Sequence, residues 1–219
     1  MKHYIRRAAP LIMLTAVALI VSACGGSSST GTVGRTPTLS IAITINPIAS
    51  GTSAQASATI TDASGNTSPA SGVTWSSGNP SVANVSAAGL VTGAVVGTAT
   101  IFAQSAGVTG QTLVTVTPGT PVSVSIYSGD GQSGAPQTQL PAPLCVIVKD
   151  ASGNAVPGVV ATYTVATGGG TISAPTAPST DGIGVATSGL WRLGTPTGQQ
   201  TVLASVSGVG SVTFKGTAQ

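Results

Sequence analysis

The chain has 219 residues, of which 41% are hydrophobic, 3% are aromatic and only 5% are charged. The formal net charge of +3 comes from seven basic residues, three of them within the first seven positions, against four aspartates. Nucleic-acid binding is excluded, because neutralising a phosphate backbone requires clustered lysine and arginine, and beyond residue 7 the charges balance.

Residues 1–23 are predicted to be a signal peptide for export. Lys2, Arg6 and Arg7 give a positively charged start, and the eleven apolar residues 11–21 follow them. An uncleaved anchor helix is the alternative. At about 1.5 Å per residue, however, this run is too short to cross a hydrocarbon layer of roughly 30 Å.

Residues 24–37 are predicted to form a flexible tether. Beyond Cys24 they are rich in glycine, serine and threonine and show no apolar periodicity. A segment of this length and composition has a root-mean-square reach of about 20 Å. That reach would hold the following domain just clear of a lipid surface.

From Leu39 onward, apolar and polar residues alternate with a period of two. The short runs are rich in valine, isoleucine and threonine and are bounded by turn-forming residues, which is typical of half-buried antiparallel strands. They lie at 39–45, 57–61, 122–126, 202–206 and 212–214. Residues after Cys24 show no helical periodicity, so the sequence predicts an all-β fold built from β-sandwiches.

The pentapeptide Asp-Ala-Ser-Gly-Asn occurs twice, at 62–66 and at 150–154. Each copy follows one alternating run and precedes another. Their separation of 88 residues is close to the size of one sandwich, about 100 residues. The sequence therefore predicts two tandem domains, 38–117 and 121–219, joined by a short proline-containing hinge at 118–120.

The chain is predicted not to be an enzyme and to use no cofactor. Its single histidine, His3, lies in the predicted signal peptide, so the exported part has no imidazole base and no Ser-His-Asp triad. A serine–lysine pair using Lys149 or Lys215 is the remaining alternative. Both lysines lie in strand-like stretches, where they should stay hydrated and protonated.

Four aspartates supply every carboxylate side chain, and all lie beside glycine or in turn sequences: Asp62, Asp130, Asp150 and Asp181. Calcium binding is an alternative, since oxygen ligands suit that cation. One carboxylate per loop falls short of the six to eight oxygens that calcium takes. The predicted role is therefore turn capping, with no metal site.

Trp75 and Trp191 are predicted to pack in the core rather than to stack on sugars. Trp75 shares the alternation of Val73, and Tyr163 likewise falls on the apolar parity of its strand. Cys145 would be unpaired and unable to form an intrachain disulfide if Cys24 is modified. It shares a strand face with Lys149, so a partly accessible but inert thiol is expected.

Val21-Ser22-Ala23-Cys24 resembles the lipobox of bacterial lipoproteins. The resemblance implies cleavage before Cys24, a diacylglyceryl group on its sulfur, and usually acylation of the new amine. Two or more acyl chains anchor a protein stably, whereas one is marginal. Gly25 follows the cysteine, and by resemblance to enteric-type sorting this implies release to the outer membrane.

The exported part also resembles bacterial Ig-like domains. The stretches 73–83, 88–93 and 97–101 are similar to the group 2 domain. The second half resembles the group 1 domain of invasin and intimin stalks at 128–132, 140–144, 150–154, 157–158, 180–184 and 190–194. The resemblance implies Ig-like sandwiches that act as spacers, although this fold serves many unrelated roles.

Together these features predict a lipid-anchored bacterial envelope protein whose Ig-like domains act as a surface stalk, adhesion or interaction module. Its expected partners are the membrane, through the lipid, and a protein or glycan on another cell. Polar loops or an exposed strand edge would make that contact. Two alternatives stay open: a purely structural lipoprotein facing the periplasm, and a carbohydrate-binding module.

Overall fold

The computed structural model describes Arg35–Gln219, so the predicted signal peptide, Cys24 and most of the predicted tether lie outside the described residues. The described part is built from strands, turns and loops. Its strands are β1 (Thr38–Ile43), β2 (Ile48–Ala49), β3 (Ser53–Thr61), β4 (Thr67–Pro69), β5 (Thr74–Ser77), β6 (Ala83–Val85), β7 (Leu90–Gly93), β8 (Gly97–Ser105), β9 (Val108–Thr117), β10 (Pro121–Ser128), β11 (Gln132–Gly134), β12 (Cys145–Asp150), β13 (Thr162–Thr167), β14 (Thr171–Ile172), β15 (Val185–Thr187), β16 (Trp191–Arg192), β17 (Gly198–Val206) and β18 (Gly210–Ala218).

Strands β1 to β9 form the first sandwich. One sheet has the order β1-β3-β7-β6, with β4 beside β3, and the other has the order β2-β9-β8-β5. β2 runs parallel to β9. Small and branched residues from both sheets fill the core between them: Ile48, Ala54, Ala56, Val82, Ala83, Val91, Ala99, Ile101, Val114 and Val116.

Strands β10 to β18 form the second sandwich, with sheets β10-β12-β15 and β11-β18-β17-β13 and a small β14-β16 pair. The parallel pairing of β11 with β18 repeats that of β2 with β9. This sandwich has its own, larger core, which includes Leu140, Leu144, Val146, Val148, Tyr163, Trp191, Leu193, Val202, Ala204 and Phe214.

The predicted period of two is confirmed where the strands are longest. In β17 and β18, inward residues such as Val202 and Phe214 are fully buried while their chain neighbours are half-buried or exposed. Alternate side chains of a strand point to opposite faces, so each strand buries one face in its core. The prediction of an all-β fold with tandem sandwiches is confirmed.

The alternation fails at two positions. The run predicted to continue to Ile45 ends earlier, because β1 stops at Ile43 and the Ile45 side chain is 61% exposed. Val122 is 51% exposed because the pairing of β10 with β12 shifts register between Pro121 and Ser123. A register shift of this kind places an extra residue in one strand, and this turns the next side chain away from its expected face.

Between Arg35 and Gln219, no helix is long and apolar enough to cross a membrane.

Candidate functional site at the junction of the two sandwiches

The two copies of the repeated pentapeptide form loops with the same internal hydrogen bonds. In the first loop, residues 62–66, Asp62 Oδ1 accepts the backbone N–H groups of Ser64 at 2.8 Å and Asn66 at 2.9 Å. The corresponding distances in the second loop, residues 150–154, are 2.9 and 2.8 Å. The turn-capping role predicted for both aspartates is confirmed.

Only the second loop reaches the other sandwich. Asn154 Nδ2 donates to Ser50 Oγ at 2.9 Å and to the Ala94 carbonyl oxygen at 3.1 Å. Asn154 Oδ1 accepts the backbone N–H of Val96 at 3.2 Å. Both ends of one amide therefore bind the first sandwich, which satisfies its donor and acceptor capacity together.

The carboxylate of Asp150 fixes the connection between the sandwiches. Its Oδ2 accepts the backbone N–H of Gly119 at 2.8 Å, and the residue is only 4% exposed. A Cβ atom at Gly119 would lie 2.7 Å from the Ser50 carbonyl oxygen, so the close approach requires glycine. We call the contacts of the second loop with Ser50, Ala94, Val96 and Gly119 the junction.

Burial at the junction raises the pKa of Asp150, but hydrogen bonds outweigh this effect and hold the pKa below its ordinary value. The donors are the Asn154 side chain and the backbone N–H groups of Gly119, Asn154 and Ser152. All of them stabilise the ionised form. The junction therefore depends on a charged carboxylate.

The junction should weaken in acid. Because the folded pKa of Asp150 is depressed, its contribution is complete above the ordinary pKa of 3.8 and is lost as the pH falls through the folded pKa. We expect the unfolding temperature to drop below about pH 4, and to drop less in Asp150→Asn. Calorimetry of both proteins measures this; parallel curves would contradict it.

The other two aspartates differ from each other. Asp181 caps its own turn, accepting the N–H groups of Ile183 at 3.0 Å and Val185 at 2.9 Å, as predicted. The prediction that Asp130 caps its own turn is wrong: its Oδ1 accepts the N–H of Lys215 at 2.7 Å, on a strand 85 residues away. Between residues 35 and 219, no three potential metal ligands lie together.

The predicted core roles of the aromatic residues are confirmed for Trp191 and Tyr163, which are 0% and 2% exposed. Trp75 is half-buried and packs against two clusters of the first sandwich. The Tyr163 hydroxyl donates to the Ala186 carbonyl oxygen at 2.7 Å, and its burial raises the pKa of the phenol.

The expectation of a partly accessible Cys145 is wrong. The residue is 7% exposed, and its Sγ lies 3.4 Å from Thr187 Oγ1. It begins β12, the central strand of its sheet, so β10 and β15 cover it from both sides. Lys149, farther along β12, is exposed as predicted, and so is Lys215.

A family model matches one part of the chain. Residues 37–116 match the bacterial Ig-like domain (group 2), in agreement with the resemblance found in the first half. A search of curated proteins finds no match to the chain.

Several solved structures are similar to this chain. FdeC, an Escherichia coli adhesin, is 23% identical with a TM-score of 0.51, over 82% of this chain and 64% of that one. The Yersinia pseudotuberculosis adhesin InvE is 20% identical with a TM-score of 0.39, over 88% and 62%. The S-layer protein SbsC is 22% identical with a TM-score of 0.40, over 83% of this chain but only 27% of its own.

At 23% identity the likeness to FdeC concerns the fold alone. The chain spans less than two thirds of each of these structures. Residues 37–116 thus match the group 2 bacterial Ig-like domain, and the described chain has an all-β fold similar to that of FdeC.

Proposed function

We propose that this protein is a lipid-anchored component of a bacterial envelope whose two Ig-like sandwiches form a short stalk for display or interaction at the cell surface. The observation that carries the proposal is the junction, where a buried carboxylate and one amide join the sandwiches. A spacer must hold one module at a defined position relative to the next, and the junction supplies that restraint.

The second loop is preorganised for docking. The backbone N–H bonds to Asp150, and the 3.0 Å bond from Asn154 Nδ2 to Asp150 Oδ2, form within the loop itself. Groups already held in their bound geometry lose little conformational entropy on docking. The junction should therefore persist in solution rather than open freely.

In this proposal Cys24 carries the lipid and residues 24–37 are the tether. The outer membrane is the proposed location. We assign the second sandwich, 121–219, to the group 1 class of invasin and intimin stalks, on the motifs at 128–132, 180–184 and 190–194. The predicted domain limits are kept, with 118–120 as the connection.

We assign the protein no catalytic role. Each of the four aspartates accepts backbone N–H groups, as a structural cap does. Lys149 and Lys215 are exposed, so their amines lie in water.

Lipid attachment is tested by replacing Cys24. Wild-type protein should be found with membranes, and mass spectrometry of its N-terminus should show a diacylglyceryl group on Cys24. Cys24→Ser should lose both the lipid and the membrane association, because no other anchor is proposed. Cys145→Ser is the matched control and should keep both.

Wild-type protein recovered as a soluble chain with a free Cys24 thiol would overturn the anchoring proposal. Surface display has its own test, protease treatment of intact cells. Cleavage of the sandwiches without permeabilisation supports a surface stalk. Protection until the envelope is opened would instead favour a structural lipoprotein facing the periplasm.

A further inference from the structure

An open groove lies on the second sandwich beside the β14-β16 pair. It consists of two adjoining hollows of about 400 and 310 Å³, and both are lined by Gln137, Thr171 and Arg192. We call it the Arg192 groove. Three chain segments far apart in sequence meet there, and Arg192 is the only charged residue in its lining.

Arg192 is held in place by its own strand and by one side-chain bond. Its backbone pairs with Thr171, and its Nε donates to the Gln137 carbonyl oxygen at 2.7 Å. A guanidinium group has five N–H donors. Among the hydrogen bonds of the described residues, the two terminal nitrogens make none, so four donors remain for a ligand.

Gln137 is held in an unusual backbone conformation at the groove. Its φ of 61° lies in the left-handed region, which residues with side chains rarely adopt. Two bonds keep it there: its N–H donates to the Gly194 carbonyl oxygen at 3.2 Å, and its own carbonyl oxygen accepts from Arg192. Backbone strain of this kind clusters at binding sites.

The charge of Arg192 is available to an external partner. The four aspartates are engaged with backbone N–H groups elsewhere, and none of them lines the groove. A single guanidinium suits one carboxylate, which it can bind through two parallel hydrogen bonds. A polyphosphate chain would require several cations.

We propose that the Arg192 groove binds a carboxylate-bearing sugar such as a uronic acid within a polysaccharide. The exposed amides of Gln137 and Gln139 match the hydroxyl groups of a sugar ring. Ile172, which is half-buried, gives an apolar patch for the C–H face of the ring. This inference rests on the proposed interaction role and names its ligand.

Binding is tested with the full chain, purified in detergent, and the trimer of galacturonic acid. The fully methyl-esterified trimer is the control ligand, because it keeps the shape of the acid trimer and removes its negative charges. Titration calorimetry should show saturable binding of the acid, at least about tenfold tighter than the ester and weakened by added salt. Equal affinity for acid and ester would overturn the proposal, as would no binding of the acid.

The site is tested with single substitutions. Arg192→Gln should weaken binding at least about tenfold, and Arg192→Lys by less, because lysine keeps the charge but not the two-pronged geometry. Lys149→Gln removes an exposed positive charge from the same sandwich outside the groove and should leave affinity unchanged. Gln139→Ala should weaken binding without changing the net charge.

Equal affinity of Arg192→Gln and Lys149→Gln would overturn the assignment of the groove. Thermal unfolding of each variant shows whether it is folded. The outcome is separate from lipid attachment, since a lipid-free chain that binds the acid trimer upholds this inference while overturning the anchoring proposal. A lipidated chain that does not bind the acid trimer upholds the anchoring proposal and overturns this inference.

Discussion

Replacing Asp150 with alanine is expected to lower the free energy of unfolding by about 2–4 kcal/mol. The substitution leaves the N–H groups of Gly119, Ser152 and Asn154 without their acceptor. A partly or fully buried donor without a partner costs about 1–3 kcal/mol. Chemical denaturation followed by circular dichroism measures the change.

Asp62→Ala is the matched control, since it removes the same cap from the same pentapeptide. The first loop is exposed and does not contact the second sandwich, so water replaces the lost hydrogen bonds. The loss in free energy of unfolding should therefore be much smaller. Equal losses for the two variants would show that the junction contributes nothing beyond the turn.

The junction should also be visible in the distance between the sandwiches. Spin labels on cysteines introduced at the exposed positions Ser57 and Thr213 report that distance. We expect Asn154→Ala to broaden its distribution, because the amide that binds Ser50 and Ala94 is lost. Asn66→Ala, the equivalent change in the first loop, should leave the distribution unchanged.

Replacing Trp191 with alanine is expected to cost about 3–5 kcal/mol, the range for large aromatic residues in a core. The side chain is 0% exposed, and its ring lies directly over Gly216, where a Cβ atom would be 2.7 Å from the ring. The surrounding strands cannot collapse fully into the vacated volume, so a cavity should remain.

Trp191→Phe separates the contribution of side-chain packing to stability from that of the buried polar Nε1 group. The indole Nε1 is buried and has no hydrogen-bond partner, so phenylalanine removes an uncompensated polar group while keeping much of the volume. Its cost should be well below that of alanine. Leu113→Ala, at a position 56% exposed, should change stability by less than about 0.5 kcal/mol. Equal costs for Trp191→Ala and Leu113→Ala would contradict the core assignment.

Local patterns were sufficient to predict the architecture. Alternation with a period of two and glycine-bounded turns indicate strands whatever their partners, and the buried positions of Tyr163, Val202 and Phe214 follow from that parity. The turn geometry of the two pentapeptides was likewise predictable, because an aspartate caps its own loop through bonds to residues two and four positions later.

The junction could not be predicted, because the first and second loops have identical sequences although only the second loop forms it. What distinguishes them is the surface opposite the second loop, made by Ser50, Ala94 and Val96, at least 54 residues earlier in the chain. The burial of Cys145 and the hydrogen bond of Asp130 could not be predicted for the same reason, because they depend on the distant strands β15 and β18. The Arg192 groove joins three separate segments of the chain, and no local pattern predicts that they meet.

The end of β9 has a mechanical consequence. The connection to the second sandwich leaves this ten-residue strand directly after Thr117, and the strand pairs with β8 from Val108 to Val116 and with β2 at Val116 and Thr117. Tension transmitted through Pro118 would pull β9 lengthwise, across the direction of those hydrogen bonds. They would then resist force together instead of breaking one at a time, which fits the stalk role proposed above.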